Sequence, residues 1–230
     1  MSAPIKPLII HHIEGRRSER VAWLCEELGL PYELKFIVGD IYASLLSMTD
    51  VHPMRMAPIL EDGNVRLIES GAILEYIILR HGGGRLRPSK DAPEIADYLQ
   101  WLHFAEGSGM PRAVVEFVVK KFGLDRVPPG EKEFYVGKCR RVLDFAEGTL
   151  AGRPYFAGDE FTAADIMMHF PLRMLPQAMQ DTFKIGAVFR DDRNGLAEHP
   201  NVSAFLDRMA ARPAFQRAMA RAMPNGPPPT

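Results

Sequence analysis

Cysteine is scarce in this sequence, which has only Cys25 and Cys139 among its 230 residues. The two cysteines stand far apart inside helix-like stretches, so they form neither a CxxC redox pair nor a cluster with metal-ligand spacing. We therefore expect reduced thiols in a cytoplasmic protein.

An excess of charge of either sign is also missing. The chain has 28 Lys and Arg against 29 Asp and Glu, which gives a formal net charge of -1. No global electrostatic field would then attract nucleic acid or an anionic membrane. We expect the partner to be a small molecule that is neutral or recognised by a few local groups.

Long apolar runs are absent as well. The run from Leu8 to Ile10 precedes two histidines and is too short for the core of a secretion signal. No segment approaches the roughly 20 apolar residues of a membrane span. The remaining composition, 47% hydrophobic and 25% charged, is typical of a globular chain with one large domain or two small ones.

The first eighty residues alternate short apolar runs with helical patterns, which is typical of an α/β unit. Strands are predicted at Leu8–Ile13 and Tyr32–Val38. The helix between them has apolar residues at i, i+3, i+4 and i+7 and is expected to end at Gly29. A short helical segment is predicted at Ile41–Thr49.

The next passage predicts a hairpin followed by a helix. Residues 57–68 place two short apolar runs on either side of an Asp-Gly-Asn turn. Ser70 is expected to be the N-cap of the helix that follows. Glycines and a lack of periodicity mark a linker at 83–92. The sequence therefore predicts a βαβ–ββα domain at 1–82.

Beyond the linker the strand signals vanish, and residues 93–223 are predicted to form an all-helical domain. Four segments carry an apolar stripe at helical spacing. They are Glu94–Gly107, Glu131–Leu150, Thr162–Leu172 and Val202–Met209. The tail at 224–230, with four prolines and a glycine, is expected to be disordered or loosely attached.

Thr162 and Asp165 have the spacing of a capping box. In such a box each side chain bonds the backbone amide of the other residue. Phe161 and Ile166 stand where a hydrophobic staple would pack. We interpret this passage as a folding device with no direct chemistry.

Five passages, in this order along the chain, resemble the glutathione S-transferase family. They are WLCEELGLPY at 23–32, HPMRMAPILEDG at 52–63, ESGAILEY at 69–76, FAGDEFTAAD at 156–165 and ARPAF at 211–215. The resemblance covers nearly the whole chain. It implies an α/β thioredoxin-like domain with a mixed four-stranded sheet, then an all-α helical bundle that lines the second-substrate site. It also implies a homodimer.

The resemblance implies glutathione as co-substrate and assigns residues to it. A cis proline at Pro58 would turn the Ala57 amide and carbonyl outward to pair with the extended peptide. Ser70 and the amides at the start of its helix would bind the γ-glutamyl carboxylate, and Glu69 the ammonium group. Met56 stands where related sequences often carry lysine. Each residue alone also fits a structural role: a turn proline, an N-cap or a solvated charge.

The position that activates the thiol departs from the family. Related bacterial members have Asn-Ser-Arg-Ser-Gln-Arg after the first strand, with the first serine as the active hydroxyl. This chain has Gly-Arg-Arg-Ser-Glu-Arg at 15–20, so Arg16 replaces that serine. Arg16 could stabilise the thiolate by charge, or the amides at the helix start could suffice. Ser18 could act if the loop is displaced, although its position before a helix also fits an N-cap. We favour Arg16.

The resemblance places the second-substrate site near His103, Phe104 and Met110. Core packing fits Phe104 equally well. His103 could instead reach glutathione, within the subunit or across the implied dimer, and it also fits an exposed helix position. We expect no metal site, because the adjacent His11 and His12 would point to opposite faces of a strand.

The resemblance implies a transferase that joins glutathione to an electrophilic, mostly apolar small molecule. One alternative is a glutathione-dependent disulfide or peroxide reductase that uses two bound glutathiones, since the first loop has no cysteine. Another is a non-catalytic member of the fold that binds a hydrophobic ligand or a protein.

Overall fold

The computed structural model describes residues 6–121, 129–178 and 195–226. These residues divide into two units. One comprises the described residues up to Arg87 together with those from Ala210 onward, and the other those from Pro88 to Met209. The boundary at Arg87 falls inside the predicted linker. The predicted disorder of the tail concerns mainly 227–230, which lie outside the described residues. No helix in the described part is long and apolar enough to cross a membrane.

The first unit contains a four-stranded mixed sheet, as predicted. Its strands are β1 (Leu8–His11), β2 (Tyr32–Lys35), β3 (Ile59–Asp62) and β4 (Val65–Leu67). They lie in the order β2-β1-β3-β4. Strand β1 runs parallel to β2 and antiparallel to β3, and β4 is antiparallel to β3.

The helices follow the predicted order, with additions. They are α1 (Glu19–Leu28), α2 (Ile41–Leu46), α3 (Ser70–Arg80), α4 (Ile95–Phe104), α5 (Met110–Lys121), α6 (Pro129–Leu150), α7 (Ala163–Ala178), α8 (Pro200–Ala210) and α9 (Pro213–Ala222). The prediction of a helical second domain is confirmed, because every regular element described beyond the linker is a helix. Helices α5 and α9 were not predicted.

Helix α1 ends as its sequence predicts. Gly29 adopts φ 68°, a left-handed conformation that suits glycine, and the Leu30 amide bonds the Cys25 carbonyl across the turn at 2.9 Å. The apolar face of α1 is buried, including Val21 and Leu24. The buried residues therefore follow the expected helical spacing.

Helix α9 belongs to the first unit, which corrects the predicted helical domain at 93–223. Phe215 of α9 meets Trp23 of α1 with ring centroids 4.9 Å apart. Arg212, just before α9, donates to both carboxylate oxygens of Glu27 at 2.6 and 2.9 Å. A helical pattern shows which face is apolar, but it does not show which element that face will pack against.

The helix predicted at Glu94–Gly107 does not end near Gly107. Instead a single π-helical turn, Ala105–Gly109, joins α4 to α5. Gly107, Gly109 and Pro111 all lie at this junction. The wider turn absorbs the irregularity, and the Met110 amide bonds the Ala105 carbonyl. Gly109 suits this position, because a Cβ here would lie 3.1 Å from the Cβ of Pro171, a tight contact that would push the proline ring away.

Aromatic rings form the core of the second unit around Trp101. Its ring centroid lies 4.5 Å from that of Phe156 and 4.7 Å from that of Phe145. Phe156 in turn packs edge-on against Phe205 of α8 at 5.0 Å. These contacts tie α4, α6 and α8 together.

Only one of the two bonds predicted for the capping box at Thr162 and Asp165 is present. The Asp165 carboxylate accepts the Thr162 amide at 2.8 Å, but the Thr162 hydroxyl also donates to that carboxylate, at 3.2 Å, instead of capping the Asp165 amide. The other carboxylate oxygen accepts the Phe156 amide at 2.8 Å. Asp165 therefore holds the loop before α7 as well as the start of the helix.

We expect Asp165→Ala to lower the free energy of unfolding by about 2 kcal/mol, because buried donors from Thr162 and Phe156 lose their acceptor. Urea unfolding would measure the change. Asp159→Ala removes an exposed carboxylate from the same loop and is expected to have no effect. Equal stability of both variants would contradict the assignment.

The effect of Asp165 is expected to depend on pH. Burial raises the pKa of this carboxyl to about 6, above its ordinary value of 3.8. The folded chain therefore binds the proton more tightly than the unfolded chain. The stability difference between wild type and Asp165→Ala should grow as the pH falls from 7 towards 4, in urea unfolding at each pH. A difference that shrinks over this range would contradict the raised pKa.

Candidate active site

Strand pairing brings two of the predicted site segments to one edge of the sheet. His11, the last residue of β1, pairs with Ile59, the first residue of the antiparallel β3. The loop that follows β1 and the residues that precede β3 must therefore emerge together. This loop, residues 12–18, is called the β1–α1 loop below.

The β1–α1 loop turns at Gly15, which adopts φ 65°. The Arg16 amide bonds the Ile13 carbonyl at 3.2 Å, and the guanidinium Nη1 donates to the Gly15 carbonyl at 3.1 Å. Arg16 is half-buried, and burial lowers the pKa of its guanidinium, opposed by the charge of Glu19. Arginine stays protonated in proteins, so the loop presents a cation.

Ser18 has a different role from those considered in the sequence. It occupies the N-cap position of α1, but its side chain makes no capping bond. The residue is fully buried, and its Oγ lies 2.7 Å from His12 Nδ1 and accepts the Ile13 amide at 3.2 Å. The Ser18 side chain therefore does not cap α1, although the residue occupies the N-cap position. The geometry also disfavours Ser18 as a partner for a substrate thiolate, because the hydroxyl is enclosed by the protein.

The two adjacent histidines have separate partners on opposite faces of the sheet. His11 Nε2 lies 2.6 Å from a carboxylate oxygen of Glu61. His12 bonds Ser18 and, through Nε2, the Ala222 carbonyl at 2.8 Å. Burial lowers the pKa of His12, against the opposing influence of this carbonyl and of Glu19 and Glu14. In the described part of the chain, no group of three or more His, Cys, Asp and Glu could hold a metal.

The peptide bond between Ala57 and Pro58 is cis, which confirms the expectation from the resemblance. Pro58, the residue before β3, is buried, and Ala57 is half-buried. Met56, at the position where lysine is common in related sequences, is 47% exposed. An apolar side chain therefore faces solvent beside the candidate peptide-binding backbone.

Ser70 is the first residue of α3 and not its N-cap, which corrects the prediction. The N-cap position belongs to Glu69, whose φ of 71° is unusual for a residue with a side chain. The Ile73 amide bonds the Glu69 carbonyl at 2.9 Å, and this bond starts the helix. Glu69 remains exposed, so its carboxylate is available to a ligand.

A buried arginine stands behind Ser70. Arg20 of α1 is 2% exposed, and its Nη1 donates to the Ser70 Oγ at 2.9 Å. Because a guanidinium can only donate, the serine oxygen is the acceptor in this bond. The positive end of α3 and the Arg20 charge thus lie at the same place, which suits an anionic group.

The bond between Arg20 and Ser70 joins the start of α3 to the first turn of α1. The β1–α1 loop leads into that turn, and Pro58 shares its sheet edge. Arg16, Pro58 and Ser70 are therefore gathered at one end of the first unit. This grouping agrees with the set of residues predicted for glutathione, although its chemical role stays a prediction.

The residues predicted for a second substrate lie in the second unit and differ in exposure. His103 is exposed, Phe104 is half-buried against the Trp101 ring at 5.0 Å, and Met110 is 3% exposed. Met110 is enclosed and offers a ligand the least surface of the three. Their role in binding stays a prediction.

Sequence reasoning did not identify Arg20 and His12 as parts of the site. Arg20 lies on a helix between polar and apolar residues, and its charge suggested solvent. For His12 a signal was available, because it continues the alternation of Leu8 and Ile10, both of which are buried. That alternation predicts an inward imidazole that needs polar partners.

We expect Glu69→Gly to raise the free energy of unfolding by about 1 kcal/mol, because glycine tolerates the positive φ that a Cβ disfavours. Urea unfolding would show a higher midpoint. Glu69→Ala removes the same carboxylate but keeps the Cβ, so it should gain no stability. Equal stabilisation by both substitutions would mean that the carboxylate, and not the backbone, is the source of the strain.

Comparison with known proteins agrees with this architecture. The family model described as glutathione S-transferase, N-terminal domain, matches residues 10–86, and that of the C-terminal domain matches residues 129–213. Glutathione S-transferase 3 of Zea mays is 32% identical, over 92% of this chain and 91% of its own length. Glutathione S-transferase 3 of Schizosaccharomyces pombe is 29% identical, over 95% of this chain and 89% of its own.

A solved structure gives a similar result. A glutathione transferase from Burkholderia graminis, with two glutathione molecules bound per protein subunit, matches with a TM-score of 0.72 and 27% identity. The match covers 93% of this chain and 88% of that chain. The N-terminal and C-terminal domains of the family are both present, in the family's order. The similarity to the Zea mays protein extends over most of both chains. The chain belongs to the glutathione S-transferase family.

Proposed function

We propose that this chain is a glutathione transferase, which joins the glutathione sulfur to an electrophilic apolar small molecule. The observation that carries the proposal is the grouping of Arg16, Pro58 and Ser70 at one edge of the first unit's sheet. Glutathione is an extended tripeptide with a carboxylate and an ammonium group at one end and a thiol in the middle. The grouping offers a chemical partner for each part.

The γ-glutamyl end would bind at the start of α3. Its carboxylate would meet Ser70 and the first amides of the helix, with the Arg20 charge directly behind. The adjacent ammonium group would pair with the exposed Glu69 carboxylate. The peptide backbone would pair with Ala57 in the manner of an added strand.

The thiol would lie at the β1–α1 loop, where Arg16 would favour its anionic form. A free thiol has a pKa of about 8.5, so only a few per cent is ionised at neutral pH. Lowering that pKa by two units requires about 2.7 kcal/mol of preferential interaction with the anion. A half-buried guanidinium offers both charge and a hydrogen-bond donor. The thiolate would then form the carbon–sulfur bond as the leaving group departs with its electron pair.

A glutathione-dependent disulfide or peroxide reductase is the second candidate. The Burkholderia graminis relative, with two glutathione molecules per subunit, favours it. A mechanism that uses a protein cysteine is disfavoured, because both cysteines are buried and burial raises the pKa of Cys25 to about 12. A reductase would therefore have to join two glutathiones to each other.

Several other expectations remain proposals. His103, Phe104 and Met110 would contribute to binding of the electrophile. A cytoplasmic homodimer that detoxifies electrophiles agrees with family membership. Light scattering on the purified chain would test the dimer directly.

We expect Arg16→Ala to raise the pKa of bound glutathione by one to two units, because the thiolate loses a nearby cation. Ultraviolet absorbance of the thiolate, measured across pH on glutathione-saturated protein, would show the shift. Arg16→Lys keeps the charge and should restore part of the effect. Arg80→Ala removes an exposed cation at the other end of α3 and should leave the pKa unchanged.

Calorimetric titration with glutathione comes first, because an absence of binding would contradict the proposal as a whole. An unchanged pKa in Arg16→Ala would contradict only the role of Arg16. Turnover of a chloronitroaromatic would support the transferase, whereas turnover of a disulfide alone would favour the reductase.

A further inference from the structure

His12 connects two parts of the chain that are 210 residues apart in sequence. It follows β1, is fully buried, and both of its ring nitrogens have partners. One nitrogen lies 2.7 Å from Ser18 Oγ in the β1–α1 loop, and the other lies 2.8 Å from the carbonyl oxygen of Ala222, the last residue of α9. A single side chain thus bonds the loop and the end of the chain's last described helix.

The partners determine which nitrogen carries the proton. The Ala222 carbonyl can only accept, so Nε2 carries the hydrogen and donates it. In the neutral imidazole Nδ1 is then an acceptor, and Ser18 donates to it. The Ser18 oxygen in turn accepts the Ile13 amide at 3.2 Å. The chain of bonds runs from the α9 carbonyl through the imidazole and hydroxyl into the loop backbone.

The ring has little freedom to change partners. Phe36 packs against it edge-on, with ring centroids 4.7 Å apart and planes at 90°. Displacement of α9 would leave a buried N–H without an acceptor, which is costly in a site closed to water. The imidazole would then have to turn, and a turn would break the bond from Ser18.

The rest of α9 is held by contacts on α1. Phe215 meets Trp23, and Glu26 accepts bonds from Arg217 and Arg221 at 2.8 and 3.3 Å. These contacts lie along the helix, whereas His12 bonds its final carbonyl. Docking of α9 and the position of the Ala222 carbonyl are therefore linked.

We propose that His12 is a positioning residue that couples the docking of α9 to the conformation of the β1–α1 loop. When α9 is docked, its last carbonyl fixes the imidazole, the imidazole fixes Ser18, and Ser18 fixes the loop that carries Arg16. Opening of α9 loosens the loop. The effect of this coupling on the thiol rests on the proposed function, whereas the coupling itself does not.

The test perturbs α9 without touching the loop. Ala220 is an exposed residue of α9, so Ala220→Gly should increase local opening of the helix about fivefold through helix propensity alone. Hydrogen exchange followed by mass spectrometry would report α9 and residues 12–18 separately in the full chain. We expect exchange to accelerate in both segments, by about fivefold in α9 and by a similar factor in the loop.

Two variants of His12 break the coupling at different points. His12→Gln keeps a donor near the Nε2 position for Ala222 but loses Ser18, whereas His12→Asn keeps an acceptor near Nδ1 for Ser18 but does not reach Ala222. In either background Ala220→Gly should accelerate exchange in α9 and leave the loop unchanged. The two variants are independent, so one that fails to fold leaves the other to decide.

Ala96→Gly is the matched control, because it weakens an exposed turn of α4 in the other unit. It should leave exchange in residues 12–18 at the wild-type rate. The coupling would be overturned if Ala220→Gly left hydrogen exchange in residues 12–18 unchanged. It would also be overturned if Ala220→Gly accelerated that exchange equally in the wild-type and His12-variant backgrounds.

Glutathione titration of the same proteins separates this proposal from the proposed function. If none binds glutathione while the exchange pattern is as expected, the coupling stands and the proposed function fails. If they bind, Ala220→Gly should also raise the pKa of the bound thiol, and it should not do so in the His12→Gln background. A change in the thiol pKa that is equal in both backgrounds would contradict transmission through His12.

Discussion

The packing of α9 on α1 is the contact on which the first unit depends. Small buried residues of α9, Ala214 and Ala218, bring the two helices close together. The Arg212 fork on Glu27 adds a directed ion pair. The pair is partly buried, and its two parallel bonds fix the alignment of α9, while the apolar contact supplies most of the stabilisation. The helix that begins at the candidate site is thus oriented by the far end of the chain.

Burial of polar groups is the second constraint on the site. His12, Ser18 and Arg20 are all nearly inaccessible to water, and each has a directed partner at 2.7 to 2.9 Å. A buried polar group that loses its partner costs free energy, so these bonds allow few alternative arrangements. The polar interior therefore holds the loop and the start of α3 in fixed positions before any ligand arrives.

Local patterns in the sequence predicted most of the fold. The strand and helix periods, the left-handed stop at Gly29 and the spacing of Thr162 and Asp165 depend on neighbours in the chain, so a single sequence contains them. The position of α9 does not depend on its neighbours in the chain, because any apolar helix face could have packed on either unit. The N-cap at Ser70 was wrongly predicted for the same reason: a bond from Arg20, 50 residues away, uses the serine oxygen.

The net charge of the chain and the charges at the candidate site lead to different expectations about anions. The net charge of -1 predicts that no long-range field attracts anions to this chain. Yet the start of α3, Arg20 and Arg16 place positive charge at one sheet edge, with two of the three shielded from solvent by burial. Such charges act over a few ångströms and are screened less by salt than surface charges. In the proposed function, arginine at position 16 in place of a hydroxyl would extend this local field towards the glutathione thiol, so one electrostatic feature would serve both recognition of the carboxylate and ionisation of the sulfur.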